Sequence, residues 1–253
     1  MSDAPTPVNG PPATGSPGSA LPGSGASAID LSRTVAVAVG DRAETRAGDH
    51  ALLAGMVARL TGAAAASVVL TRRCPHCGAS DHGPLRVRIP GFPAVVPRVS
   101  LARAGGRLAL AVTAAGPVGI DLESLADLAR APLHDVALSP AEAATLATLR
   151  PAAAAEAALA NIWTTKEAVL KAAGLGLRVD PRELTVTLEP AGRPDGPSPR
   201  PSDRRTVSWP RAPFPDTDVQ LWPVAAPRGT VATVAVVCGE RPSVLMVTVP
   251  PPR

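Results

Sequence analysis

Three side chains in the stretch 161–177, NIWTTKEAVLKAAGLGL, have types and spacing suited to chemistry. The residues from Pro151 to Ala173 are mostly strong helix formers, and Pro151 is acceptable in a first helical turn. Gly174 and Gly176 supply the stop. On that helix Trp163, Glu167 and Lys171 fall at i, i+4 and i+8 and share one face. A carboxylate between an indole and an ammonium can hold a metal-bound phosphate. It can equally be an ordinary Glu–Lys pair on a solvated face, with Trp163 packed in the core. Upstream, Val118 to Glu123 alternates like a strand, which puts Asp121 and Glu123 on one side while Ile120 and Leu122 face the core. Two carboxylates at i and i+2 repel, so they mark either a solvated edge or a divalent cation between them. Mg²⁺ takes a few carboxylate oxygens and keeps waters and substrate phosphates for the rest of its shell. Asp121, Glu123 and Glu167 would make such an incomplete cage.

The chain around these residues is 253 long and 45% apolar, enough for one large core or two small ones. Its 25 basic and 21 acidic residues leave a mild positive excess, which suits phosphates or acidic partners. With two Phe and no Tyr it lacks base-stacking platforms, so nucleic acid is not expected as a partner. No apolar run is long enough to span a membrane, because Gly116 and Pro117 interrupt the longest candidate. The N-terminus does not read as a secretory signal. Three cysteines, an odd count, argue against a disulfide scaffold, and the cytoplasm is the expected compartment.

The positioning elements can be read in order. Residues 1–28 are Pro, Gly, Ser and Ala with few large apolar groups, and they are expected to be disordered. A first strand runs from Thr34 to Val39. Asp49 is placed to cap a helix with Leu52, Met56 and Leu60 on one face, ending near Gly62. A short strand follows over Val68 to Thr71. Leu85, Val87 and Ile89 alternate with Arg86 and Arg88 in a half-exposed strand, and Leu108 to Val112 pairs with Val118 to Glu123. Ser139-Pro140-Ala141-Glu142 is a capping box, which makes Glu142 a cap before a catalyst. A strand is predicted at Leu184 to Leu188, and Val219 to Trp222, Thr230 to Cys238 and Ser243 to Val249 are expected to complete one apolar, β-branched-rich sheet. Residues 190–216 read as a flexible insertion and 250–253 as a fraying tail. Cys74-Pro75-His76-Cys77-Gly78, then Asp81-His82-Gly83-Pro84, raises zinc as an alternative to a plain loop. Zinc needs four ligands, and neither a second C-x-x-C nor H-x3-5-H follows.

GIDLE over 119–123, followed by WTTKEAVLKAAGLG over 163–176, resembles the 4′-phosphopantetheinyl transferase superfamily, in particular its long, surfactin-synthetase-activating type. The matching positions are Gly119, Asp121, Glu123, Trp163, Lys166, Glu167, Lys171, Gly174 and Gly176. The likeness runs from Val35 to Val249 but is sharp only in short stretches. It implies an α+β fold of two similar halves in one chain, 29–117 and 118–249, with the active site at their interface. It also implies Mg²⁺ on Asp121, Glu123 and Glu167 in the second half. In the family a C-x-x-C-G-x-x-H-G-x-P loop approaches coenzyme A, which assigns His82 and Gly83 to the coenzyme without requiring metal. The family's lysine after that His-Gly is absent here, where Pro84-Leu85 follow, leaving Arg86 or Arg88 as substitutes. The family's S-[LIV]-S-H-[ST] element meets the coenzyme phosphates. Ser100 matches its first serine, while Ala102 and Arg103 replace the second serine and the histidine. Arginine can clamp a phosphate through its planar fork.

The reaction the resemblance implies moves phosphopantetheine from coenzyme A to a serine of an acyl or peptidyl carrier protein, releasing 3′,5′-ADP. Glu167, or a water it orients, is then the base for the serine proton, and Lys171 reaches the departing phosphate. Trp163 is expected to pack and position Glu167. Lys166, off that face, is expected at a coenzyme or surface contact. Carrier proteins of this kind are acidic, and Arg86, Arg88, Arg103 and Arg178 are candidates for the two anionic partners. Both halves of the site lie in one chain, so a monomer is expected. Two other classes of function stay open. One is a non-catalytic module that binds carrier protein or coenzyme A; the other is a zinc-stabilised interaction protein built on Cys74 and Cys77.

Overall fold

The computed structural model describes residues 29–92, 96–189 and 204–249. The expected tails at 1–28 and 250–253, and residues 190–203 of the expected insertion, lie outside the described residues. The first segment runs β1 (Thr34–Asp41), α1 (Arg46–Thr61), β2 (Val69–Arg72), β3 (Leu85–Arg88), β4 (Arg98–Ala104) and β5 (Arg107–Thr113). Then come β6 (Val118–Ser124), the short helices α2 (Leu125–Leu128) and α3 (Leu133–Ala137), α4 (Pro140–Thr148) and α5 (Ala152–Ala172). The chain closes with β7 (Thr185–Leu188), β8 (Arg205–Ser208), β9 (Val219–Val224), β10 (Thr230–Val237) and β11 (Ser243–Met246).

Period-two alternation sorts the strand residues into layers. Ala36 and Ala38 of β1, with Leu108, Leu110 and Val112 of β5, are buried against Leu52, Leu53, Met56 and Val57 of α1. The intervening residues Val35, Val37, Ala109 and Ala111 face the opposite way and meet Val118, Ile120 and Leu122 of β6 and Val234 and Val236 of β10. Two sheets therefore pack face to face, one ordered β11-β1-β5-β4 and the other β6-β10-β9. α1 covers the outer face of the first, and α5 covers the second through Ala168, Val169 and Leu170. The result is a mixed α+β layering of helix, sheet, sheet and helix. Two ribbons, β2-β3 and β7-β8, complete the topology. No helix among the described residues is long and apolar enough to cross a membrane.

Several expectations change. β11 does not extend the second sheet; it pairs in parallel with β1, matching Thr34 with Ser243, so the end of the chain joins the first sheet. Part of the expected 190–216 insertion is a strand: β8 pairs with β7, Thr185 opposite Ser208. Thr45, not Asp49, caps α1, its side chain accepting from the Gly48 amide. Asp49 lies in the first turn, wholly buried. One oxygen accepts from the Ala43 amide at 2.8 Å and the other from Arg103 Nε at 2.5 Å.

Lys166 is also not at a surface. It is wholly buried, with Nζ 2.6 Å from both the Ala137 carbonyl and Glu142 Oε2. Glu142 makes the capping box with Ser139 and also accepts from the Val186 amide at 2.6 Å. One carboxylate thus fixes α4, α5 and β7 together. Burial pulls the Lys166 ammonium below its ordinary range, and Glu142 opposes that shift. Removing one partner of such a pair strands a buried charge. Lys166→Met is expected to lower unfolding stability by about 3–5 kcal/mol in urea melts. Adding Glu142→Gln should recover part of that loss; additive losses would show that the two charges are not coupled.

Candidate functional site

α5 can lie on β6 because residue 119 has no side chain. A Cβ there would stand 1.9 Å from the Ala168 carbonyl oxygen and 2.6 Å from the Ala172 nitrogen. The contact puts the Glu167–Lys171 turn of α5 over the face of β6 that carries Asp121 and Glu123. The helix ends just beyond in a Schellman closure. The Leu175 amide donates to the Leu170 carbonyl at 3.1 Å and the Gly174 amide to the Lys171 carbonyl at 3.0 Å, with Gly174 at φ 73°.

The four candidate residues lie near enough there for their charges to act on one another. Lys171 Nζ is 2.5 Å from Asp121 Oδ1 and 3.3 Å from the Ile120 carbonyl. Trp163 Nε1 donates to Glu123 Oε1 at 3.0 Å, so the indole holds Glu123 and not, as expected, Glu167. Asp121 Oδ2 and Glu167 Oε1 are buried without a hydrogen-bond partner among the described residues. Burial, and then the charge of Asp121, push the Glu123 carboxyl up to about 7. Burial likewise raises Glu167, Lys171 opposing and Asp121 adding to the shift. Orphaned hard oxygens beside carboxylates that resist ionisation are what a divalent cation would satisfy, so the residues present fit Mg²⁺.

Lys171 also opens onto a groove of about 1130 Å³. β3, β4 and the chain leading into them form one wall; the end of α5 and the turn through Arg178 form the other. Arg72, Arg86, Arg98, Lys171 and Arg178 line it, and no Asp or Glu among the described residues does. Burial, then the charges of Arg103 and Arg46, hold Arg72 below the usual arginine range. Unbalanced positive charge of this kind favours an anion of nucleotide size.

The other predicted residues fall in two groups. His82, Gly83 and Ser100 line the groove. Ser100 Oγ also accepts from the Ile120 amide at 3.0 Å, tying β4 to β6. Gly83 sits at φ 91°, where a Cβ would be 2.8 Å from the Cys74 Cα, and its carbonyl accepts from Arg72 Nη1 at 2.8 Å. Arg88 and Arg103 are not in the groove wall. Arg103 is held by Asp49, although its Nη2 is buried and unpartnered. Arg72 and Arg98 were missed, since each stands in sequence as one more arginine among many. Only their folded position distinguishes them.

The raised Glu123 fixes a pH dependence. Without a cation, the folded chain keeps a proton that the unfolded chain releases near 4.5, so stability falls as pH rises from there to about 7. Thermal melts in EDTA across that window are expected to show the fall, and Glu123→Gln to lessen it, with Glu167 supplying the rest. An equal slope in both proteins would contradict the assignment.

Residues 117–211, which carry β6, α5 and all four residues of the carboxylate site, match the family model of the 4′-phosphopantetheinyl transferase superfamily. No curated protein matches the chain. The part of the chain that builds the carboxylate site is thus the part that resembles a transferase superfamily.

Proposed function

We propose that the chain is a 4′-phosphopantetheinyl transferase that moves phosphopantetheine from coenzyme A to a serine of an acyl or peptidyl carrier protein. The observation carrying this reading is that Asp121, Glu123 and Glu167 adjoin Lys171, which opens onto a groove with five basic residues and, among the described residues, no acidic one in its lining. A nucleotide diphosphate lies in that groove with its pyrophosphate toward Lys171. Asp121, Glu123 and Glu167 would hold Mg²⁺, which when bound neutralises charge on the pyrophosphate oxygens.

The serine oxygen attacks the phosphorus nearest the pantetheine. A phosphorus–oxygen bond to that serine forms as the bond to the second phosphate breaks, and 3′,5′-ADP leaves. Glu167, whose proton affinity is raised by burial, takes the serine proton. Lys171 stands by the departing phosphate, and Asp121 holds the ammonium in place. Trp163 keeps one oxygen of Glu123 oriented.

The order strand, helix, two-stranded ribbon, two strands occurs in 34–113 and again in 118–237, with β1-β5-β4 and β6-β10-β9 as the corresponding sheets. That supports two similar halves with the active site between them, complete in a monomer. The cytoplasm, where coenzyme A and carrier proteins meet, is the matching compartment.

Intact mass of an apo carrier protein after incubation with coenzyme A, Mg²⁺ and this chain tests the reading. One added phosphopantetheine is expected, lost with EDTA and reduced at least 100-fold in rate by Glu167→Gln. No gain across fatty-acid, polyketide and peptide carriers would favour a non-catalytic coenzyme A binding module. The pairing of Arg103 with Asp49, in place of a free phosphate ligand, is the observation on that side.

A further inference from the structure

The proposed transfer makes no use of Cys74 and Cys77, which lie with His82 in the connection between β2 and β3. The chain curls around Cys74: its amide donates to the Ala79 carbonyl at 2.8 Å, and the Gly78 amide donates back to its carbonyl at 3.0 Å. Gly78 at φ 73° lets the turn close. This turn brings two free thiols together. Cys74 Sγ, Cys77 Sγ and one donor nitrogen of His82 all lie within 4.8 Å of one another. Among the described residues no other set of His, Cys, Asp and Glu gathers three ligand atoms so closely, the carboxylates near Lys171 included.

The details suit a soft metal. Cys77 Sγ is 3.3 Å from His82 Nε2. A tetrahedral zinc ion with ordinary bond lengths sets a sulfur and a nitrogen donor roughly 3.5 Å apart. The other ring nitrogen, Nδ1, is 2.7 Å from Asp81 Oδ1. A carboxylate there accepts a hydrogen bond from Nδ1–H, the tautomer that leaves Nε2 bare toward the sulfurs, and such outer partners orient histidine ligands at metal sites. A disulfide between the cysteines would use neither the imidazole nor Asp81.

We propose that Cys74, Cys77 and His82 bind zinc, with Asp81 orienting the histidine and the fourth coordination position open to solvent. Thiolate and imidazole donors select zinc over the hard cation suited to the carboxylates, so the two sites are chemically separate. Chelation would pin a wall of the groove, since Cys74, His82 and Gly83 all line it. This site does not depend on the transferase reading.

The full chain, purified with reductant, loaded with Zn²⁺ and desalted, is expected to retain one zinc per chain by elemental mass spectrometry. Cys77→Ser and His82→Ala should lose it, and Cys238→Ser should keep it. Asp81→Asn should weaken zinc affinity by about 10–100-fold. Co²⁺ should give a thiolate-to-metal charge-transfer band in the wild-type chain. Cys77 and His82 are exposed, so their variants are expected to keep the wild-type circular dichroism. If one unfolds, the cobalt band of the wild-type chain decides. Three results would overturn the proposal: substoichiometric zinc with no cobalt band, undiminished zinc in Cys77→Ser, or a chain that remains two hydrogens short by intact mass even when kept in reductant.

Discussion

Everything at the site depends on how closely α5 lies against β6, and Gly119 sets that distance. A methyl group at this position would overlap the helix backbone at Ala168 and Ala172. Contact at backbone range brings Glu167 and Lys171, a helix turn apart, down to two carboxylates spaced by the strand period. Were the helix lifted by the width of a side chain, Lys171 would no longer reach Asp121. The small residues Ala168 and Ala172 on the facing side of the helix serve the same close approach.

The surrounding charges divide according to whether the fold completes them. Lys166 and Glu142 are buried and fully engaged, each spending its hydrogen bonds on joining elements. Arg103 and Asp49 pair between β4 and α1, which leaves only Arg103 Nη2 buried without a partner among the described residues. By contrast Asp121 Oδ2 and Glu167 Oε1 have no hydrogen-bond partner among the described residues, and Glu123 resists ionisation. Buried polar groups left unsatisfied are costly and persist where something else completes them. Lys166 and Lys171, five residues apart on one helix, thus have opposite roles: one holds the structure, the other faces the groove.

Much of this was legible in the sequence because it is local. The 3.6-residue period placed α5 and its stop, the capping box placed α4, and strand alternation put Asp121 and Glu123 on one side. Misreadings occurred where a distant segment decides. Lys166 reads as a surface residue until α3 and α4 fold over it, and Asp49 reads as a cap until Arg103 arrives from β4. Trp163 lies one helix turn from Glu167, which hid its bond to Glu123 on another strand. β11 carries the same β-branched composition wherever it pairs, so composition could not assign it to the first sheet. The C-x-x-C loop left zinc open, because spacing supplies only part of a ligand set; the approach of His82 Nε2 to Cys77 Sγ is set by the folded course of the loop.

In the proposed function the α5–β6 contact gathers Asp121, Glu123 and Glu167 into one site for a hard divalent cation. Mn²⁺ binding followed by electron paramagnetic resonance, with Mg²⁺ as competitor, is the decisive measurement. One Mn²⁺ per chain is expected, displaced by Mg²⁺, with affinity lost in Asp121→Asn and in Glu167→Gln. Binding that survives both substitutions, or no binding to the folded wild-type chain, would contradict it.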